Sequence, residues 1–256
     1  MTAYLANPEA WQESWDHQQE AYLPDREHRF AAMLDAVDAA TGGAAPRLLD
    51  LAGGTGTITL RTLARFPGAE ATVLDQDPVL LAIAAASLRE RASVVSADLN
   101  RPAWRSALPV RDFDAVLTAT ALHWLAADRV TELYTEIRGV LRPGGVFVNA
   151  DQMPDDRLPE FGKKLQARED ARRDARYAAG AVLSWRDWWQ HVTTEEFFRP
   201  LLAERERVYP ADSAINHSAE WLPPVSWHVE ALRAAGFSEA GVLWRGGVDA
   251  AVIGVR

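Results

Sequence analysis

Between residues 47 and 66 the chain reads RLLDLAGGTGTITLRTLARF, with Gly53, Gly54 and Gly56 crowded between an apolar run and an amphipathic one. Glycine inside regular structure costs roughly 0.5–1 kcal/mol against alanine. Such a cluster therefore marks either a bend that side chains would block or a ligand lying against bare backbone. A second group with chemical capacity is His123, in ATALHWL. Its imidazole can serve as a general base at neutral pH, or it can be a structural group hydrogen-bonded to backbone. Both roles are open to it.

These residues need strands and helices to place them. RLLDLA is a short apolar run, GTITLRTLARF has helical spacing, and AEATVLD is strand-like. DPVLLAIAAASLRERA follows as a helix, with Asp77 at its N-cap and Pro78 at its first position. SVVSAD and DFDAVLTAT are further strands, DRVTELYTEIRGVLRPGG is a helix ended by Pro-Gly-Gly, and VFVNAD is a strand. Strands alternating with helices predict right-handed βαβ units and a parallel sheet covered on both faces. Upstream, residues 8–40 read as two helices broken near LPDRE, with Pro24 and Asp25 starting the second. From Asp155 to about Arg207 the alternation gives way to charged helices. A helix from Ser226 to Ala235 and two strands joined at RGGVD then complete the sheet as a β-hairpin. The expected organisation is an N-terminal helical segment (1–45), a core (46–154 and 226–256), and an inserted helical cap (155–225).

Glycines after a strand and at the head of a helix have the geometry of a nucleotide-type site. A dinucleotide fingerprint needs G-x-G-x-x-G or a terminal alanine. Starting from Gly54 and Gly56, the third small position holds Thr59, so the NAD pattern fails there. What fits is acid-x-small-x-Gly-x-Gly, at Asp50, Ala52, Gly54 and Gly56.

With this pattern the chain resembles the class I S-adenosylmethionine-dependent methyltransferases, from LLDLAGGTG to the final GVR. Within them it is similar to the small-molecule branch with a helical cap before the last strands. Ala52 and Gly53 depart from the commonest form of the motif, which has a glycine and often a cysteine. The resemblance implies a Rossmann-like, mostly parallel sheet with an antiparallel C-terminal hairpin, and S-adenosylmethionine as cofactor. It places the glycines and Gly53 against the methionine end and Asp75 at the ribose hydroxyls. A carboxylate suits that position because it offers several lone pairs and no donor. It also places Gln76 along the adenosine, Asp98 at the adenine amino group, Leu99 against the ring, and Thr118 and Ala119 beneath the sulfonium. No metal is implied. Tyr22 and Arg26, one helical turn apart, would reach the methionyl carboxylate or substrate, or else staple their helix to the sheet.

The ten tryptophans are unusual. Trp185, Trp188, Trp189 and Val192 form one helical stripe. Such a stripe is either the buried side of a helix or an aromatic lid that excludes water. Trp15 and Trp124 are further substrate-binding candidates, and Trp221, Trp227 and His228 bracket the return into the sheet.

Composition excludes other classes. With no cysteine, disulfides, thiolate catalysis and Cys-ligated zinc are ruled out. A formal charge of −9 opposes nucleic-acid binding, and the one basic stretch, KKLQAREDARRDAR, alternates its charges as a solvated helix face does. No apolar run has the length of a membrane span, and no signal peptide is recognisable, which together point to a cytoplasmic protein. The expected activity is methyl transfer to a small organic acceptor, a specialised metabolite, by a monomer or homodimer. A cyclisation or rearrangement on the same cofactor, and a non-catalytic cofactor-binding regulator, are the alternatives.

Overall fold

Strand β1 (Arg47–Leu51) is the apolar run RLLDL, buried along four consecutive residues. It is an interior strand with parallel neighbours on both sides: β2 (Glu70–Asp75) on one and β4 (Phe113–Ala119) on the other. Strand β3 (Ala92–Ser96) extends β2, and β5 (Leu141–Gln152) extends β4, again in parallel. The C-terminal hairpin of β6 (Glu239–Gly246) and β7 (Asp249–Val255) completes the order β3-β2-β1-β4-β5-β7-β6, with β7 antiparallel to both neighbours. The computed structural model describes residues 4–23, 25–209 and 222–256. Pro24 and Trp221 lie outside them.

Helices cover both faces, as continuous apolar strands require. On one face α5 (Ala127–Val140) and α9 (Val225–Ala234) bring Leu133, Tyr134, Ile137 and Leu232 onto Phe147 and Val252. On the other, α2 (Arg26–Thr41) brings Phe30, Met33, Leu34 and Val37 onto Leu48, Leu117 and Val148. Full burial of side chains such as Met33 and Val37 is worth about 1.5–3 kcal/mol each. Helices α3 (Thr57–Arg65) and α4 (Pro78–Leu88) return β1 to β2 and β2 to β3. Asp77 caps α4 as expected, accepting from the Val79 and Leu80 amides.

One boundary differs from the expectation. Helix α5 ends at Val140, and Pro143-Gly144-Gly145 lies inside β5, not in a turn before it. The register of β5 against β4 shifts between Phe113 and Ala115, and a Cβ on Gly145 would fall 2.9–3.1 Å from the carbonyl oxygens of Arg142, Phe113 and Asp114. The glycine permits this close approach of two strands, and Gly144 supplies the positive φ of 74° that the irregularity needs.

Helix α1 (Pro8–Gln19) precedes α2, and α6 (Pro159–Ala178), α7 (Trp185–Val192) and α8 (Arg199–Val208) come between β5 and α9. Of these, α1, α7 and α8 meet α4 in a core of their own. Trp11 and Trp15 of α1, Val79, Leu80 and Ile83 of α4, and Trp188, Val192 and Phe198 pack together. Trp188 has no exposed surface and donates its indole N–H to the Ser14 hydroxyl at 3.0 Å. Helix α6 buries no residue.

Candidate functional site

The glycine turn leaves β1 through a left-handed alanine, Ala52 at φ 54°, then Gly54 at 54° and Gly56 at 79°. Thr120, just past the neighbouring strand β4, is also left-handed at φ 52°. A non-glycine residue in this region costs on the order of 1 kcal/mol, and such strain gathers where a cleft must be shaped. The turn is fastened to β2: Gly53 N–H donates to the Leu74 carbonyl at 3.1 Å and Gly54 N–H to Asp75 Oδ2 at 2.9 Å. A Cβ on Gly53 would fall 2.6 Å from Asp50 Cγ, so the turn lies directly on that carboxyl group.

Asp50 sits beneath the turn with no exposed surface. Its Oδ2 accepts from the Thr59 amide at 3.0 Å and the Thr59 hydroxyl at 2.9 Å. Thr59 thus has a positive role at the position where a dinucleotide fold needs a small residue. Burial pushes the Asp50 carboxyl up to about 7, against those two hydrogen bonds. Asp75 is also raised by burial, while its Oδ1 accepts from the Gln76 and Asp77 amides at 2.7 and 2.9 Å. Acidic groups under and beside the turn disfavour a phosphate there and suit a ligand that carries positive charge and hydroxyls. The residues present therefore fit S-adenosylmethionine, whose sulfonium and ammonium are cationic, better than a pyrophosphate.

The remaining cofactor candidates fall along the same edge. Asp98 Oδ1 accepts from the Asn100 amide at 2.8 Å, and its side chain is one-third exposed. Leu99 is buried in the α5-side core, and its carbonyl accepts from Arg129 Nε at 2.6 Å. Thr118 is fully buried, with no partner for its hydroxyl among the described residues, and Ala119 is partly buried against the α2-side core.

His123 stands in the short turn after β4, and its Nδ1 lies 2.9 Å from both carboxylate oxygens of Asp151 near the end of β5. Burial alone would raise the Asp151 carboxyl. The charge and hydrogen bond of His123, with the Gln152 amide and the charge of Arg29, outweigh it and hold Asp151 below the ordinary range. The pair was half visible in the sequence: an acid at the carboxyl end of a strand is the same signal that marks Asp75, but its partner depends on tertiary register. A narrow recess runs past Leu122, His123, Asp151, Pro223 and His228. His228 is kept neutral by burial, its pKa pushed down to about 4, and it shares a 2.7 Å hydrogen bond with the Tyr134 hydroxyl. Asn149 donates to that same hydroxyl at 3.2 Å, which leaves the tyrosine proton for His228 Nδ1.

Helix α1 closes over the glycine turn through polar contacts that sequence reasoning missed. Gln12 donates to the Thr55 and Thr57 hydroxyls at 2.9 and 3.0 Å, and Thr57 donates to Asp16 Oδ1 at 2.6 Å. Arg26 is buried and held by Asp16, donating to its carbonyl at 2.6 Å. Tyr22 is drawn the other way, to Tyr177 at 6.3 Å between ring centroids and to the Arg173 guanidinium. The expected Tyr22–Arg26 pairing is therefore split: Tyr22 lies in the turn between α1 and α2 rather than on the helix that Arg26 begins, and the two side chains take different partners.

The tryptophans separate into two groups. Trp124 is partly exposed with its ring 4.9 Å from His123, and Trp227 lies 5.1 Å from His228. Trp15 and Trp185 contact each other at 5.6 Å, and Trp189 packs on both Trp185 and Trp188. That second group joins α1 to α7. Among the described residues, no cluster of three or more His, Asp or Glu side chains is arranged to hold a metal ion.

A seven-stranded sheet of this order, with a strained glycine turn and an acid closing the next strand, is the Rossmann-like fold of the class I S-adenosylmethionine-dependent methyltransferases. Residues 48–145, the segment that carries the turn, match the family model described as a methyltransferase domain. An uncharacterized methyltransferase of Mycobacterium tuberculosis is 33% identical over 124 residues, which cover 48% of this chain and 47% of that protein. The chain thus spans about half the length of the curated relatives it matches. An O-methyltransferase family protein from Burkholderia thailandensis superposes with a TM-score of 0.56 at 20% identity, over 93% of this chain and 57% of that one. Human N-acetylserotonin methyltransferase, in complex with SAM, does so with a TM-score of 0.55 at 18% identity, over 89% and 51%.

Proposed function

We propose that the protein transfers a methyl group from S-adenosylmethionine to a proton-bearing oxygen or carbon acid of a small organic acceptor, with His123 as general base. The observation that carries this is the His123–Asp151 contact at the carboxyl ends of β4 and β5, alongside the glycine turn. The cofactor supplies an electrophilic methyl on a good leaving group, so the chain's own work is to position the acceptor, exclude water and accept a proton. Asp151 accepts the Nδ1 proton and fixes the tautomer whose lone pair, on Nε2, takes the acceptor's proton. The acceptor atom then bonds to the methyl carbon as the carbon–sulfur bond breaks.

In this reading residues 1–45 close over the cofactor, 46–154 and 226–256 hold it, and 155–225 cap the site. Trp124 and Trp227, beside the two histidines, face a compact and mainly apolar acceptor, which fits a specialised metabolite. Among the described residues no helix is long and apolar enough to cross a membrane. The test is a panel of phenols, enols and hydroxy acids incubated with S-adenosylmethionine, with products read by mass. A gain of one CH2 that falls about 10²–10⁴-fold in His123→Ala supports the base. Turnover unchanged in His123→Ala would refute it, and a product of unchanged mass would indicate rearrangement.

A further inference from the structure

The turn that closes β2 carries more of the molecule's weight than its neighbours. Its Asp77 is buried and uses both carboxylate oxygens: Oδ1 caps α4, and Oδ2 receives Arg205 Nε of α8 at 2.6 Å. The Arg205 guanidinium is itself stacked, 3.8 Å above the Trp189 ring and 5.0 Å from the Tyr209 ring. Tyr209, directly after α8, lies over residues 75–77. Burial raises its phenol well above the ordinary value, the Asp75 and Asp77 charges raise it further, and the Gln76 side chain is beside its hydroxyl. A phenol that keeps its proton at the one strand end whose acid can bind vicinal hydroxyls is a donor placed where a ribose-bearing ligand must lie. A simple tie between cap and sheet would not need that hydroxyl.

We propose that the cap contributes Tyr209 and Arg205 to the adenosine end of the cofactor site, Tyr209 through its ring and hydroxyl and Arg205 by holding Tyr209 in place. This rests on Asp75 being the ribose acid in the proposed function. The cap then does more than shape the acceptor pocket: cofactor affinity is set partly from an element that is separated in sequence from the glycine turn by β2 to β5.

The experiment is isothermal titration calorimetry of S-adenosylhomocysteine and of methylthioadenosine, which lacks the amino-acid end. Both are titrated into the wild type, Tyr209→Ala, Tyr209→Phe, Arg205→Gln and Asp75→Ala, with thermal melts of each ligand-free protein. Tyr209→Ala should weaken both ligands equally, by about tenfold or more. Tyr209→Phe, which keeps the ring, should weaken them by about three- to tenfold without lowering the melt. Arg205→Gln should fall between the two. Equal affinity in wild type and Tyr209→Phe and Tyr209→Ala overturns the proposal, while a loss confined to Asp75→Ala keeps the ribose assignment. A loss larger for S-adenosylhomocysteine than for methylthioadenosine also overturns it, by placing Tyr209 at the amino-acid end. Silence of both ligands on the wild type overturns it together with the reading of the site.

Discussion

Replacing Asp50 by asparagine should stabilise the fold at and above neutral pH and destabilise it in acid. The carboxyl has no exposed surface, two hydrogen bonds from Thr59 on Oδ2, and no partner on Oδ1 among the described residues. Burial lifts its pKa from 3.8 to about 7. Between those values the native chain holds a proton here that the unfolded chain has released. Stability therefore falls as pH rises through the window, and the whole loss is present above the native value. At 1.36 kcal/mol for each pKa step, that loss is about 4 kcal/mol. Asparagine keeps the shape and the acceptor for Thr59 without the charge. It exchanges one unpaired acceptor for one unpaired donor, which costs at most about 1–3 kcal/mol. The expected net effect is a gain of about 2 kcal/mol at about pH 8, turning to a loss of about 2 kcal/mol at about pH 4, where Asp50 is protonated in both states and only the unpaired donor counts. Urea titrations followed by circular dichroism read it directly, because Asp249 and every other titrating group is common to both proteins. Wild-type and Asp50→Asn midpoints that fall in parallel with pH would refute the reasoning.

Other perturbations address the same frame. Gly53→Ala drives a Cβ to 2.6 Å from Asp50 Cγ and should cost about 1–3 kcal/mol by chemical denaturation, a loss that Asp50→Asn does not restore. Asp249→Asn removes the counter-charge 2.6 Å from the fully buried Arg29 guanidinium and should cost about 3–5 kcal/mol, read as a lowered thermal midpoint. Trp188→Ala should cost about 3–5 kcal/mol and speed tryptic cleavage in the arginine-rich α8, because it empties the core on which Leu201 and Leu202 pack and which joins them to α1. Unchanged cleavage would separate the cap's order from that core.

The alternation of strands and helices, the terminal hairpin and the Asp77–Pro78 helix start were readable because each is a local pattern of period, cap or turn. The end of α5 was not, because Gly145 is shaped by carbonyl groups of β4 that are distant in sequence. At the site, Asp75 could be read from its place at a strand end, and Asp151 occupies an equivalent place on β5. Its meaning came only with His123, which packing brings to it from another turn. The tryptophan stripe carried a true signal of burial at Trp188 and Val192 but no information about its partner. That partner is α1, so aromatic residues far apart in sequence serve one joint. Tyr22 and Arg26 would be one turn apart only on a common helix, but Tyr22 lies in the turn between α1 and α2, which begins at Arg26.

The place of β7 has a consequence for how the chain comes to be folded. It lies between β5 and β6, pairing Val255 with Val146 on one side and Glu239 on the other. Until β7 arrives, the flank of β5 that faces it is an open row of unpaired amides and carbonyls along a strand whose residues 145–151 are buried in the finished sheet. The whole cap must be synthesised before that row can be closed, and the long loop it spans slows the closure. During that interval β5 is an exposed edge of the kind that recruits other chains. Yield in a cell should therefore depend on chaperone supply while β7 is still being made, more than on the final stability of the finished sheet.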